Sequence, residues 1–134
     1  MLIATKPRER YMQSPNFFIL YVDHPGKSAA FYQELLGREP VESSPTFAMF
    51  ALDAGLMLGL WSRHTVEPAA KGTGGGHEVC FPVEGKGRVD ELYADLSKRG
   101  LPIAQAPVEL DFGYTFVALD PDQHRLRVFA SNGS

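Results

Sequence analysis

One cysteine, Cys80, stands alone in 134 residues. It has no partner for an internal disulfide, a usage that suits a reducing compartment. Basic residues are also scarce: 13 Lys and Arg face 16 Asp and Glu, for a net charge of −3. A protein that tracks a phosphate backbone carries the opposite balance, so nucleic acid is not an expected partner. No apolar run approaches the roughly 20 residues that a bilayer demands; the most apolar window, Phe47 to Trp61, is broken by Asp53. Met1 to Gln13 has no long apolar stretch and holds Lys6, Arg8, Glu9 and Arg10, which argues against a secretory signal. These absences set the expectation of a cytoplasmic protein with no membrane partner. What is present is ordinary globular composition, 44% hydrophobic and 22% charged. A chain of this length buries roughly 70% of the surface that it exposes when unfolded.

Residues 1–14 are polar and contain proline, and read as an N-terminal extension. Asn16 to Val22 is a run of β-branched and aromatic residues that predicts a strand, ended by His24-Pro25-Gly26. Ser28 to Leu36 carries Phe31, Tyr32, Leu35 and Leu36 at helical spacing, with Gly37 as the C-cap. Val41 to Ser44 reads as a short edge strand. Phe47 to Leu52 and Leu56 to Trp61 read as strands joined by the turn residues Asp53-Ala54-Gly55. Ser62 to Gly76 is rich in Gly, Pro and Thr and has no periodicity, which makes 62–76 a linker. Its Gly72-Thr73-Gly74-Gly75-Gly76 lacks the Gly-Lys-Ser/Thr that completes a phosphate loop. A second series follows. Glu78 to Val83 is a strand; Val89, Leu92, Tyr93 and Leu96 mark a helix ended at Gly100 and Pro102; Ile103 to Leu110, Tyr114 to Leu119 and Arg125 to Phe129 are strands.

The two series share one order, and residues repeat at a spacing of 61: Gly26 with Gly87, Lys27 with Arg88, Tyr32 with Tyr93, Glu34 with Asp95, Leu35 with Leu96. Ala51-Leu52-Asp53 is echoed by Ala118-Leu119-Asp120. A duplicated unit follows. The fold class is α+β, built from two βαβββ modules at 15–61 and 77–131, each a curved mixed sheet with its helix on the outer face. Function is then expected on the concave side, in a trough lined by alternate strand residues.

Val22 to Gly37 (VDHPGKSAAFYQELLG) and Leu119 to Phe129 (LDPDQHRLRVF) resemble signatures of the vicinal oxygen chelate superfamily, which holds glyoxalase, extradiol dioxygenases and the bleomycin-resistance proteins. Its fold is the paired βαβββ arrangement. Within it the chain is most similar to the phenazine antibiotic resistance group. That likeness rests on Phe31-Tyr32 through Arg38-Glu39-Pro40-Val41, on Trp61-Ser62, on Phe112 to Phe116, and on Asp120 to His124 with Arg127-Val128. The resemblance implies binding of planar aromatic antibiotics without turnover, in a homodimer whose ligand troughs are shared between chains. Enzymes of the superfamily hold a divalent metal with His and Glu. Here the first ligand position falls on Phe17, the second near Gly59 or Trp61, the third on Glu78 and the fourth on Arg127. Only Glu78 is a ligand type, and a guanidinium repels a cation. The expectation is therefore no metal and no cofactor. His24, His64, His77 and His124 are expected at the surface, and Cys80 as a buried, inert thiol.

The resemblance also fixes a register for the trough. Phe17, Ile19 and Tyr21 face it, as do Met57, Gly59 and Trp61, Glu78 and Cys80, and Arg125, Arg127 and Phe129. Phe112, Tyr114 and Phe116 share one face of their strand. Phe47 and Met49 join the trough if the third strand has the right parity, which the sequence leaves open. The candidate ligand-binding residues are thus Trp61, Arg127, Tyr114, Phe112, Glu78, Phe17, Phe47 and Met49. Trp61 offers a stacking surface, with room left by Gly59, or else is core. Arg127 pairs with a ligand carboxylate or with Glu78 across the sheet. Tyr114 offers a hydroxyl to a ligand or faces solvent. The favoured function is sequestration of a planar aromatic antibiotic. Its rivals are a metal-dependent enzyme of glyoxalase or dioxygenase type, a metal-free enzyme with Glu78 as base, and a binding module for a metabolite.

Overall fold

In a computed structural model the structure describes residues 11–72 and 74–132. Most of the expected extension, residues 1–10, lies outside them. The chain divides into two compact units, one ending at Thr65 and the other beginning at Val66.

The first unit runs β1 (Phe17–Val22), α1 (Pro25–Leu36), β2 (Glu42–Ser43), β3 (Phe47–Ala51), a 3-10 turn (Asp53–Gly55) and β4 (Met57–Ser62). The second runs β5 (Glu78–Pro82), α2 (Lys86–Lys98), β6 (Ile103–Leu110), β7 (Gly113–Leu119) and β8 (Arg125–Ser131). The sheet orders are β1-β4-β3-β2 and β5-β8-β7-β6. In each, the first strand pairs parallel with the last, and the remaining pairs are antiparallel. This is the βαβββ order, twice, in an α+β fold. Among the described residues no helix is long and apolar enough to cross a membrane.

Strand alternation gives each sheet a helix-side face that forms its core. Leu20, Val22, Ala48, Phe50, Leu58 and Leu60 are buried in the first unit, where Ala29 and Tyr32 of α1 are also buried. In the second, Phe116, Ala118, Leu126, Val128 and Ala130 are buried, as are Val89 and Leu96 of α2. The Tyr93 ring of α2 meets Phe116 edge-on at 5.5 Å. Fully burying an apolar side chain of this size contributes roughly 1.5–3 kcal/mol.

Local chemistry sets the element ends. Helix α1 begins at Pro25, three residues before the periodicity predicts, because His24 is its N-cap: His24 Nδ1 accepts from the Lys27 N–H at 3.2 Å. Proline suits the first helical position, where its missing N–H costs nothing. Gly37 closes the helix in the left-handed region at φ 69°. Between β7 and β8, one oxygen of the buried Asp120 carboxylate accepts from the N–H groups of Asp122 (2.8 Å) and His124 (2.9 Å). The Asp-Pro-Asp signature is thus a turn that satisfies its own backbone.

Candidate functional site

Each sheet has a second face, turned away from its helix, and the candidate residues gather there within each unit. In the first unit Trp61 of β4 lies opposite Phe47 of β3 and Tyr21 of β1, while Gly59 lies opposite Met49 and Ile19. Phe17, Ile19, Tyr21, Phe47, Met49, Met57 and Trp61 therefore share one face. The register settles the parity of β3, so Phe47 and Met49 belong with Trp61. Phe47 and Trp61 meet edge to face, ring centroids 6.3 Å apart at 89°. Phe17, Ile19 and Tyr21 remain 40–43% exposed, an uncommon state for large apolar side chains on one strand face.

The space over Gly59 is not open, contrary to expectation. A Cβ added there would sit 2.9 Å from Phe17 Cε1 and 3.0 Å from Phe47 Cζ. Glycine lets these two rings fold down onto the strand, where they fill the room beside Trp61.

In the second unit Glu78 and Arg127 form a forked ion pair between β5 and β8. Arg127 Nε donates to Glu78 Oε1 at 2.7 Å and Nη2 donates to Oε2 at 2.8 Å. Nη1 donates to Thr115 Oγ1 at 3.1 Å, and that hydroxyl donates to the Val128 carbonyl at 2.8 Å. The guanidinium also lies over the Phe112 ring, 5.6 Å from its centroid, and Phe112 packs edge-on against Phe129 at 6.1 Å. Bidentate, charge-assisted pairing of this kind is both strong and directional. The Arg127 hydrogen bond holds the Glu78 carboxyl below its usual range. Arg125 stands on the same face, its Nη1 3.8 Å from Glu78 Oε2.

Several expectations need correction. Tyr114 does not join this face: it points to the helix side, where its hydroxyl donates to Asp90 Oδ1 at 2.8 Å and Lys86 sits over its ring. The reason is hairpin parity. Antiparallel pairing sets Thr115 opposite Phe129 and Val117 opposite Arg127, so the odd-numbered residues of β7 share the face of Arg127. Phe112 escapes the even-numbered pattern because it precedes Gly113, whose φ of 151° turns the chain as the strand begins. Phe116, grouped with both, is core. Cys80 is exposed rather than buried, with its Sγ 3.9 Å from Glu78 Oε1. Partial desolvation and the Glu78 charge push its thiol up, away from a reactive thiolate. His124 is buried, not on the surface. His24 is spent on its cap, and His64 Nε2 lies 2.6 Å from Asp23 Oδ1. Thr115, which the sequence did not single out, accepts from Arg127 and orients it. The five-residue turn between β7 and β8, legible in the sequence, fixes the parity that would have found it.

The residues at the resemblance's metal-ligand positions do not fit a divalent cation. Phe17, Gly59 and Trp61 offer no donor, and both oxygens of Glu78 are held by Arg127. Among the described residues no group of three or more His, Cys, Asp or Glu side chains converges as a metal site. What the arrangement can do is present aromatic surface in one unit, and a fixed guanidinium–carboxylate pair beside a phenylalanine pair in the other.

Comparison with known proteins places this architecture. The chain is 28% identical over 118 residues to the phenazine antibiotic resistance protein EhpR of Enterobacter agglomerans, covering 86% of this chain and 90% of that protein. The solution NMR structure of protein ATC0852 from Agrobacterium tumefaciens shares 56% identity with a TM-score of 0.84, covering 91% of this chain and all of that one (100%). A glyoxalase-related enzyme from Fulvimarina pelagi is alike in fold alone, at 22% identity and a TM-score of 0.76 over 90% of this chain and 89% of that one. The model of the glyoxalase/bleomycin resistance protein/dioxygenase superfamily matches residues 14–128. The chain belongs to that superfamily.

Proposed function

We propose that this protein binds a planar aromatic compound of the phenazine class without a metal and without breaking a bond in it, and that withholding the compound confers resistance. The observation that carries this reading is the Arg127 fork on Glu78. At two positions where a chelating member of the superfamily would hold a cation, this chain has satisfied its own charges. A carboxylate so engaged is also a poor general base, since its proton affinity is lowered. The likeness to a phenazine resistance protein supports the ligand class. Each unit has its own aromatic pair, Phe47 with Trp61 in the first and Phe112 with Phe129 in the second, and either supplies surface of the kind on which a fused ring stacks, worth roughly 0.5–1.5 kcal/mol per aromatic pair beyond area burial.

The test is a fluorescence titration of Trp61, the sole tryptophan, with phenazine-1-carboxylate on chelator-treated protein. The expected outcome is saturable quenching, with the phenazine recovered chemically unchanged. Quenching that requires an added divalent metal, or a ligand spectrum that changes with time, would replace this reading with an enzyme of the same fold.

A further inference from the structure

The charge on the helix-distal face of the second unit does not balance. Two guanidinium groups, Arg125 and Arg127, share one carboxylate, Glu78. They share it unequally. Arg127 takes both oxygens at 2.7 and 2.8 Å, spends a third donor on Thr115, and has a side chain only 15% exposed. Arg125 reaches Glu78 with one nitrogen at 3.8 Å, too long for a hydrogen bond, and its side chain is 48% exposed. That contact is its only ion pair among the described residues. The donors of Arg127 are directed inward at the sheet. Those of Arg125 stand on the same face as Arg127 and Phe129, and among the described residues their one acidic neighbour is Glu78, whose oxygens Arg127 already holds.

We propose that Arg125, rather than Arg127, recognises an anionic substituent on the aromatic ligand and so sets ligand specificity. The inference rests on the binding function proposed above and refines it. Glu78 and Arg127 form an internal pair that cancels its own charge, and the surplus positive charge sits on Arg125. A carboxylate on the ring system meets that guanidinium as a charge-assisted, forked partner, with the ring toward Phe112 and Phe129. An unsubstituted ring has nothing to offer it. Because Arg125 is half exposed, the preference weakens as salt is raised.

The experiment compares two probes, phenazine-1-carboxylate and unsubstituted phenazine, by calorimetric titration of the full chain and two variants. Arg125→Gln should raise Kd for the carboxylate about tenfold more than Kd for phenazine, the size of effect expected for one charge-assisted contact. Arg127→Gln should lower the melting temperature and change both Kd values by a similar factor. Equal changes for both probes in Arg125→Gln, or discrimination lost in Arg127→Gln but kept in Arg125→Gln, would overturn the assignment. A wild-type protein that binds phenazine as tightly as its carboxylate would also overturn it while leaving the binding function intact. A wild-type protein that binds neither probe would overturn both.

Discussion

The superfamily resemblance puts Arg127 where a carboxylate would serve a metal, and there Arg127 and Glu78 close on each other. Glu78 shows the consequence in its ionisation. Arg127, by hydrogen bonding first and charge second, holds the Glu78 carboxyl below the ordinary range. A folded value below the unfolded one means that folding favours the ionised form. The contribution is therefore complete above the usual glutamate value, about pH 4.3, and fades as pH falls through the lowered folded value. Glu78→Gln should cost about 1 kcal/mol near neutral pH, below the roughly 1.5–3 kcal/mol of a charged hydrogen bond because the pair is partly solvated. Below about pH 4.3 the wild type should lose that advantage while the variant does not. Urea denaturation at stepped pH follows both; parallel curves would deny the pair a part in acid lability. At this scale the sequence revealed the partners but not their geometry. Glu78 and Arg127 are 49 positions apart, and only the parallel β5–β8 register, with Cys80 opposite Arg127 and Glu78 opposite Arg125, brings them within reach.

Elements were legible where periodicity is strong and less so where backbone chemistry decides. Seven of the eight strands carry aromatic or β-branched residues, the two-residue β2 (Glu42–Ser43) being the exception, and β6 has the predicted bounds. Helix α1 starts earlier than its apolar pattern because a histidine cap and a proline, neither part of the Phe31-to-Leu36 periodicity, define its first turn. Parity needed the hairpins: pairing across β3–β4 and β7–β8 places Phe47 and Met49 with Trp61 and removes Tyr114 from the face of Arg127. Gly113 is the element-level hinge of that arrangement. Its φ of 151° is one that L side chains rarely adopt, and an added Cβ would run into the Ala130 carbonyl and lie 2.8 Å from Ser131 Cα. These are backbone atoms of the paired strand and cannot swing aside. Gly113→Ala should therefore destabilise the fold by about 2–4 kcal/mol. Thermal unfolding measures it; a loss under about 0.5 kcal/mol, the range of an ordinary surface change, would show that the β6–β7 hairpin absorbs the clash.

At the scale of the whole molecule, the repeat at a spacing of 61 was the most informative feature of the sequence, because one unit's reading corroborates the other's. The fold it predicts hosts many chemistries, so function lies in the residues on each sheet. The proposal that no metal takes part has a consequence for the intact protein. A ligand that binds only the native state raises the melting temperature. Since no cluster of three metal-ligating side chains exists among the described residues, neither chelator nor added Zn, Ni or Mn should shift the melting temperature by more than about 1 °C. A rise of about 4 °C or more would correspond to roughly 1 kcal/mol of metal binding in a chain of this size and would contradict the proposal.

The pairing of each unit's first strand with its last also sets an order of events at the ribosome. Phe17 can find no place in the sheet until Met57 has been made, and Glu78 none until Arg125 has followed. Helix α1 and the β3–β4 hairpin form from neighbours, while β1 waits. For that interval Phe17, Phe18 and Ile19 are an apolar strand edge offered to any nascent chain nearby. Phe17, a candidate binding residue of the finished protein, thus belongs during synthesis to a segment in need of a chaperone.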